Sequence, residues 1–192
     1  MKNKKYKTTQ INHKNKKQAQ DLTYLLNQYA QDPMGGGKAL PKEVLENLAD
    51  ELAKLPHAGS VIAYVDDKPA GLVNFFEAFS TFACKPLINI HDIVVLKEFR
   101  GQGLSQMMLA KVEEIAKAKG CCKITLEVLS NNEVAKASYA KYGFKGCELD
   151  PKAGHAIFWE KKISNTETQK VIEESRKGIN IEDFSFDELK KK

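Results

Sequence analysis

Arg100-Gly101-Gln102-Gly103-Leu104-Ser105 is the segment of this sequence best suited to chemistry, because it joins a run of strand-forming residues to an amphipathic helix. Glycine lets a backbone come close to a ligand. The start of a helix offers unpaired N–H groups and a partial positive charge. Together they make a seat for a pyrophosphate, to which Arg100 adds charge-assisted donors. A plain strand-to-helix turn is the competing reading of these residues. The other glycine cluster, Gly35-Gly36-Gly37, lacks the Gly-Lys-Ser/Thr ending of a P-loop and reads as a flexible loop.

The elements that must hold this segment follow from hydrophobic spacing. Residues 87–96 are apolar except at Asn89, His91 and Asp92, and predict a long strand leading into the turn. Leu104, Met107, Met108, Val112 and Ile115 give the following helix a buried face, and Gly120 ends it. Residues 123–129 predict another strand, and residues 132–142 a short helix closed by Gly143. Upstream, residues 6–11 predict a first strand. A helix over 16–29 carries Ala19, Leu22, Leu25, Leu26 and Tyr29 at helical spacing and stops at Asp32-Pro33. Pro41 opens a second helix with the stripe Val44, Leu45, Leu48, Leu52 and Leu55. Residues 60–65 and 70–79 predict a hairpin around Asp66-Asp67-Lys68-Pro69. Residues 146–149 and 155–159 predict a last pair of strands. The order β-α-α-β-β-β-α-β-α-β-β is α+β: a mixed sheet with helices against it, not an uninterrupted βαβ series. One domain is expected over 1–163, its basic segment 1–17 included, with 164–192 as a polar extension.

The chain of 192 residues can bury a sizeable core. No apolar run reaches the roughly 18 residues of a membrane span, and no apolar stretch follows the basic start, so the expected location is cytoplasmic. Cys84, Cys121, Cys122 and Cys147 show no Cys-x-x-Cys or Cys/His ligand spacing, so reduced thiols and no metal site are expected. The net charge is +5, and Lys2, Lys4, Lys5, Lys7, Lys14, Lys16 and Lys17 all precede the first acidic residue, Asp21. Such a run touches polyanions or is simply solvated. No recognition helix or RNA-binding signature accompanies it, so nucleic acid is not an expected partner.

Arg100-x-x-Gly103-x-Ser105 resembles the acetyl-CoA pyrophosphate loop of the GNAT superfamily of N-acetyltransferases, whose pattern is Gln/Arg-x-x-Gly-x-Gly/Ala. Ser105 departs at the last position but is small. Asn132-x-x-Ala135, then Tyr139-x-x-Tyr142-Gly143-Phe144, is similar to the family's second cofactor motif, at a fitting distance from the first. The resemblance covers about residues 6–161. It implies a central mixed, mostly antiparallel sheet in which two parallel neighbours, here 87–96 and 123–129, splay apart around the pantetheine of acetyl-CoA. It also implies contacts to that cofactor from the backbone of Ile93, Val94 and Val95. Further contacts would come from Arg100, Gly101, Gln102, Gly103, Leu104 and Ser105, and from Asn132 and Ala135. One backbone N–H would polarise the thioester carbonyl. Tyr139 would protonate the leaving thiolate, a role that a phenol of pKa about 10 suits. A core-packing helix residue is the competing reading of Tyr139.

The stretch from Phe79 to Asp92 is similar to the corresponding part of diamine and polyamine acetyltransferases, where a Glu-Asp pair stands in place of His91-Asp92. This implies His91 as the base that takes the amine proton and Asp92 as the attractor of a cationic amine. Asn89, Glu77 and Ser80 are further candidates to line the acceptor pocket. Strict alternation would put His91 and Asp92 on opposite sheet faces, whereas the resemblance implies a bulge in this strand, which would bring both round. A buried Asp92 without a partner would be costly, and a hydrogen-bonded sheet residue is the competing reading of His91. The expected function is acetyl transfer from acetyl-CoA to a small cationic amine by direct attack. A non-catalytic acyl-CoA-binding module, or transfer to a protein amine, is the alternative. The resemblance also implies a homodimer.

Overall fold

Three strands rich in β-branched and aromatic residues, β2 (Ala58–Val65), β3 (Lys68–Ser80) and β4 (Lys85–Val95), form the middle of a five-stranded sheet. Flanked by β1 (Tyr6–Gln10) and β5 (Ile124–Leu126), they stand in the spatial order β1-β2-β3-β4-β5. Neighbours are antiparallel except β4 and β5, which are parallel. The computed structural model describes residues 4–146 together with Trp159 and Lys161. Met1–Lys145 and Gly146–Lys192 are separate compact units. The expected boundary at 163, the extension 164–192, Cys147, and the strands at 146–149 and 155–159 lie outside the described residues, save Gly146 and Trp159.

Both faces of the sheet are covered, which is why its strands read as nearly unbroken apolar runs. Helices α3 (Leu104–Ala118) and α4 (Glu133–Tyr142) cover one face. There Leu104, Met108, Val112 and Tyr139 pack on Val61, Val73, Phe75, Ile88 and Ile90. Helices α1 (Lys16–Gln31) and α2 (Lys42–Lys54) cover the other. There Leu22, Leu25 and Leu52 pack on Ile62, Leu72 and Val94. Asn15 caps α1 by accepting from the Gln18 N–H at 3.1 Å.

The expected α+β class holds, with differences in detail. The β2–β3 turn is two residues, not four: Asp66 and Asp67 both have positive φ, 50° and 63°. A two-residue turn of that hand matches strand twist, and Asp tolerates it. Lys68 and Pro69 therefore belong to β3. β5 is shorter than 123–129, since it pairs with β4 only from Ile88↔Ile124 to Ile90↔Leu126. Among the described residues Cys84, Cys121 and Cys122 are free thiols, and no helix is long and apolar enough to cross a membrane.

Candidate active site

The site begins with one extra residue. Asn74 pairs with Asp92, and the next pair is Phe75 with Ile90, so His91 is a bulge in β4. On β3, Val73 and Phe75 face α3, so Asn74 and Phe76 face α1. Asp92 joins them, accepting from Asn74 Nδ2 at 3.0 Å. His91 turns to the same face and meets the Phe76 ring edge-on at 5.7 Å. The bulge thus brings both polar side chains to one face.

A bulge also bends its strand and raises the local twist. β4 and β5 pair up to Ile90↔Leu126 and no further, so they part where the bulge begins. Beyond it the Leu96 N–H bonds to Ala70 O of β3 at 2.9 Å. Groups alternate sides along a strand, so Ile93 and Val95 turn their N–H and C=O toward the edge that β5 has left. The Val94 side chain instead packs among the α1 and α2 residues.

The 100–105 loop closes this gap at one end. Gly101 and Gly103 take φ of 76° and 79°, where a side chain would be strained, and a Cβ on either would meet nothing within 4 Å. Gly103 caps α3 without a side-chain bond, so first-turn N–H groups stay available for an anion. Leu104 anchors the turn in the core, only 1% exposed. Arg100 does more than the motif suggests: its Nε donates to Val95 O at 3.1 Å and Nη2 pairs with Asp32 at 2.9 Å. The Met34 N–H, and then that pair with Arg100, hold the Asp32 carboxyl below its ordinary range. Gln102 turns the other way, accepting from Lys4 Nζ at 3.0 Å and the Tyr6 hydroxyl at 3.2 Å.

Ser105 faces α4, its Oγ 3.1 Å from that of Ser138, and Gln106 donates to Ser138 O at 2.9 Å. These bonds clasp the two motif-bearing helices. Asn132 caps α4, its Oδ1 accepting from the Ala135 N–H at 3.1 Å. The amide NH2 is then the part of Asn132 that can donate to a ligand. Tyr139 is 9% exposed, its ring edge-on to Phe144. Burial, and then the nearby Tyr29 phenol, push its pKa up to about 12. Tyr29 lies on α1, on the sheet face opposite α4. Burial and the Asp92 and Asp32 carboxylates push Tyr29 up in turn.

Of the residues expected to line the acceptor side, His91, Asp92 and Asn89 share a face. Asn89 Nδ2 donates to Thr125 Oγ1 on β5 at 3.1 Å. Glu77 does not join them: it follows Asn74 by an odd number of residues on a strand with no bulge there. It faces α3 instead and pairs with Lys119 at 2.7 Å. Ser80 accepts the Ala83 N–H at 3.3 Å within the β3–β4 turn. By its spacing Tyr29 belongs to a helical apolar stripe, and its hydroxyl, at the end of an otherwise apolar row, is the one local signal of a site. Among the described residues no cluster of three or more His, Cys, Asp or Glu could hold a metal ion.

A mixed sheet whose parallel neighbours part above an uncapped, glycine-led helix is a binding frame for an acyl-carrying nucleotide. Residues 22–144 match the model of the Acetyltransferase (GNAT) family, and the chain belongs to that family. A thialysine N-epsilon-acetyltransferase of Caenorhabditis elegans is 32% identical over 101 residues, covering 51% of this chain and 62% of that protein. One of Bos taurus is 36% identical over 69 residues, covering 36% and 40% respectively. This chain therefore spans less than two thirds of the length of either relative. Among solved structures, an aminoglycoside N-acetyltransferase in complex with CoA shares the fold. Its TM-score is 0.67 at 20% identity, covering 84% of this chain and 98% of that one. The family uses acetyl-CoA, and the residues here fit it: a free strand edge for amides and open-sided glycines before free helix N–H groups for a pyrophosphate.

Proposed function

We propose that this chain is an acetyl-CoA-dependent N-acetyltransferase acting by direct attack on a small cationic amine of diamine or polyamine type. The bulge at His91 carries the reading. It puts a carboxylate and an imidazole on one face of the sheet, and the other face holds a buried tyrosine, Tyr139. The relatives are named for thialysine, a free amino acid with a side-chain amine, which favours a small amine over a protein lysine.

The free edge at Ile93 and Val95, the 100–105 loop, Asn132 and Ala135 would hold acetyl-CoA, which supplies an acetyl group with an electrophilic carbonyl; the backbone of Val94 faces β3 instead. Asp92 attracts the ammonium form of the acceptor. His91 takes the proton that the amine must lose before its lone pair can attack. A backbone N–H on the free edge polarises the carbonyl. Tyr139 gives a hydrogen bond, then its proton, to the departing sulfur. With its pKa near 12 the phenol keeps that proton throughout the neutral range. The nitrogen sheds its second proton as the tetrahedral intermediate collapses, and that proton, passed on through water, restores the Tyr139 phenol; the imidazolium proton leaves to solvent, so one proton is released for each acetyl group transferred. A cytoplasmic location and a homodimer belong to the same reading, with light scattering as the check on the dimer.

The test is product mass spectrometry on purified protein with acetyl-CoA and a panel of amines. One acetyl group gained by a diamine or polyamine, and lost with Tyr139→Phe, supports the reading. Confirmed CoA binding with no acetylated amine would defeat it and favour a non-catalytic acyl-CoA module.

A further inference from the structure

Beneath the apolar layer of α1 and α2, a row of polar groups crosses the sheet. Ser60 on β2, Asn74 on β3 and Asp92 on β4 are direct cross-strand partners. His13, in the loop between β1 and α1, adds a fourth member: its Nε2 lies 2.9 Å from Ser60 Oγ. Ser60 Oγ is 2.7 Å from Asn74 Oδ1, and Asn74 Nδ2 is 3.0 Å from Asp92 Oδ2. His13, Ser60 and Asn74 are all buried, among Ile62, Leu72 and Val94. A polar row in such a layer is costly to solvate elsewhere and high in consequence if half satisfied. A fold needing only stability could fill it with apolar side chains.

The row has a direction. A carboxylate at Asp92 only accepts, so Asn74 must turn its NH2 toward it. The Asn74 oxygen then faces Ser60, which must donate. The Ser60 oxygen is left to accept, so His13 must carry its proton on Nε2. Every donor therefore points toward Asp92. An amide does not pass protons on as a hydroxyl or imidazole does, so the row is a brace and not a proton wire.

We propose that His13, Ser60 and Asn74 are positioning residues that fix the orientation of the Asp92 carboxylate for a cationic acceptor. Their leverage falls on acceptor binding, because they touch neither the cofactor loop nor Tyr139. The inference rests on the acetyltransferase reading for its kinetic arm alone.

Two arms test it. In kinetics with a diamine, Ser60→Ala raises KM about tenfold, the upper end for one neutral hydrogen bond such as that from Ser60 to Asn74, with kcat and CoA affinity unchanged. His13→Leu acts in the same direction. His13→Gln, which keeps an N–H near the Nε2 position, restores the wild-type KM. The cavity of about 270 Å³ that His13 lines gives room for either side chain. Nitrogen-15 NMR of the histidines supplies the second arm and needs no turnover. In the wild type His13 is the Nε2–H tautomer, and Asp92→Asn shifts it toward Nδ1–H, because an amide at 92 lets Asn74 turn round. A His13 tautomer indifferent to Asp92→Asn overturns the brace even if the protein acetylates nothing. A folded Ser60→Ala with unchanged KM on an active enzyme overturns its role in acceptor binding.

Discussion

Deleting His91 tests whether the bulge, and not the imidazole, opens the site. The two stretches of β3–β4 pairing meet at it: Asn74↔Asp92 on one side, Phe75↔Ile90 on the other. Removing the extra residue makes these adjacent pairs of a regular ladder. Ile90 and Ile93 keep the α3 face, and Asp92 keeps the α1 face, so no side chain changes layer. What is lost is the edge-on contact with Phe76, about 0.5–1.5 kcal/mol for an aromatic pair. What is gained is an uninterrupted ladder, where a typical hydrogen bond contributes about 1 kcal/mol. The net change is within about 1 kcal/mol, or about 2–4 °C in Tm for a chain of this size. Function is another matter. Without the bend, β4 can run on beside β5 past Leu126, closing the edge offered by Ile93 and Val95. CoA affinity should fall at least about 100-fold, the loss of two or more hydrogen bonds. His91→Gly, which keeps the residue count and can keep the bulge, should retain CoA affinity while losing turnover. Calorimetric titration with CoA beside thermal melts decides it. A deletion variant that folds and binds CoA like the wild type would refute the link between bulge and opening.

Tyr139→Phe should lower turnover by about 10²–10⁴-fold, the range for a general acid, while Tm stays nearly constant. Its hydroxyl bonds no other described residue, and the ring contact with Phe144 survives; an unchanged kcat at saturating substrates would remove Tyr139 from the chemistry. Gly59→Ala should destabilise by about 1–3 kcal/mol through overpacking, because its Cβ would stand 2.3 Å from the Phe75 ring across the β2–β3 pair. A melt unchanged within error would show that this ring can move. In alkali the sign follows from the phenols. Burial and Asp21 raise Tyr64, while burial raises Tyr139 and, with Glu113, Tyr142, the latter two to about 12. The folded state thus favours their protonated forms, so this stability is whole below about pH 10, the unfolded value, and is lost as pH climbs toward 12. Phenolate absorbance of the folded protein rising fully near pH 10 would contradict it.

Much of this was legible because the relevant signals are local. The 100–105 loop needs only its own glycines and the helix behind it. The bulge at His91 was legible only through the family resemblance, because strict alternation alone would put His91 and Asp92 on opposite faces. Pairing across strands was not legible. A four-residue turn at 66–69 would set Ser60 opposite Phe75. The actual two-residue turn, with a register shift between Ala63 and Tyr64, sets it opposite Asn74. Glu77 went astray by the same cause, since one residue of parity decides between the acceptor face and Lys119. Tyr29 was hidden for a different reason: helical spacing fixes that it faces the sheet, not that the sheet is open beneath it.

The consequence is a division of labour between two kinds of information. Cofactor contacts rest on backbone conformation, so short motifs encode them and survive changes elsewhere. On the function proposed above, the acceptor contact is Asp92, set in place by register together with its partners Asn74 on β3 and Ser60 on β2. A single insertion in a hairpin turn or at the bulge would replace that set without touching the loop at Arg100. Exchange of acceptor by slips of register, at fixed cofactor, is therefore a route open to this fold. On the same reading the carboxylate is braced: register sets Asp92 beside Asn74, which donates to it and accepts in turn from Ser60.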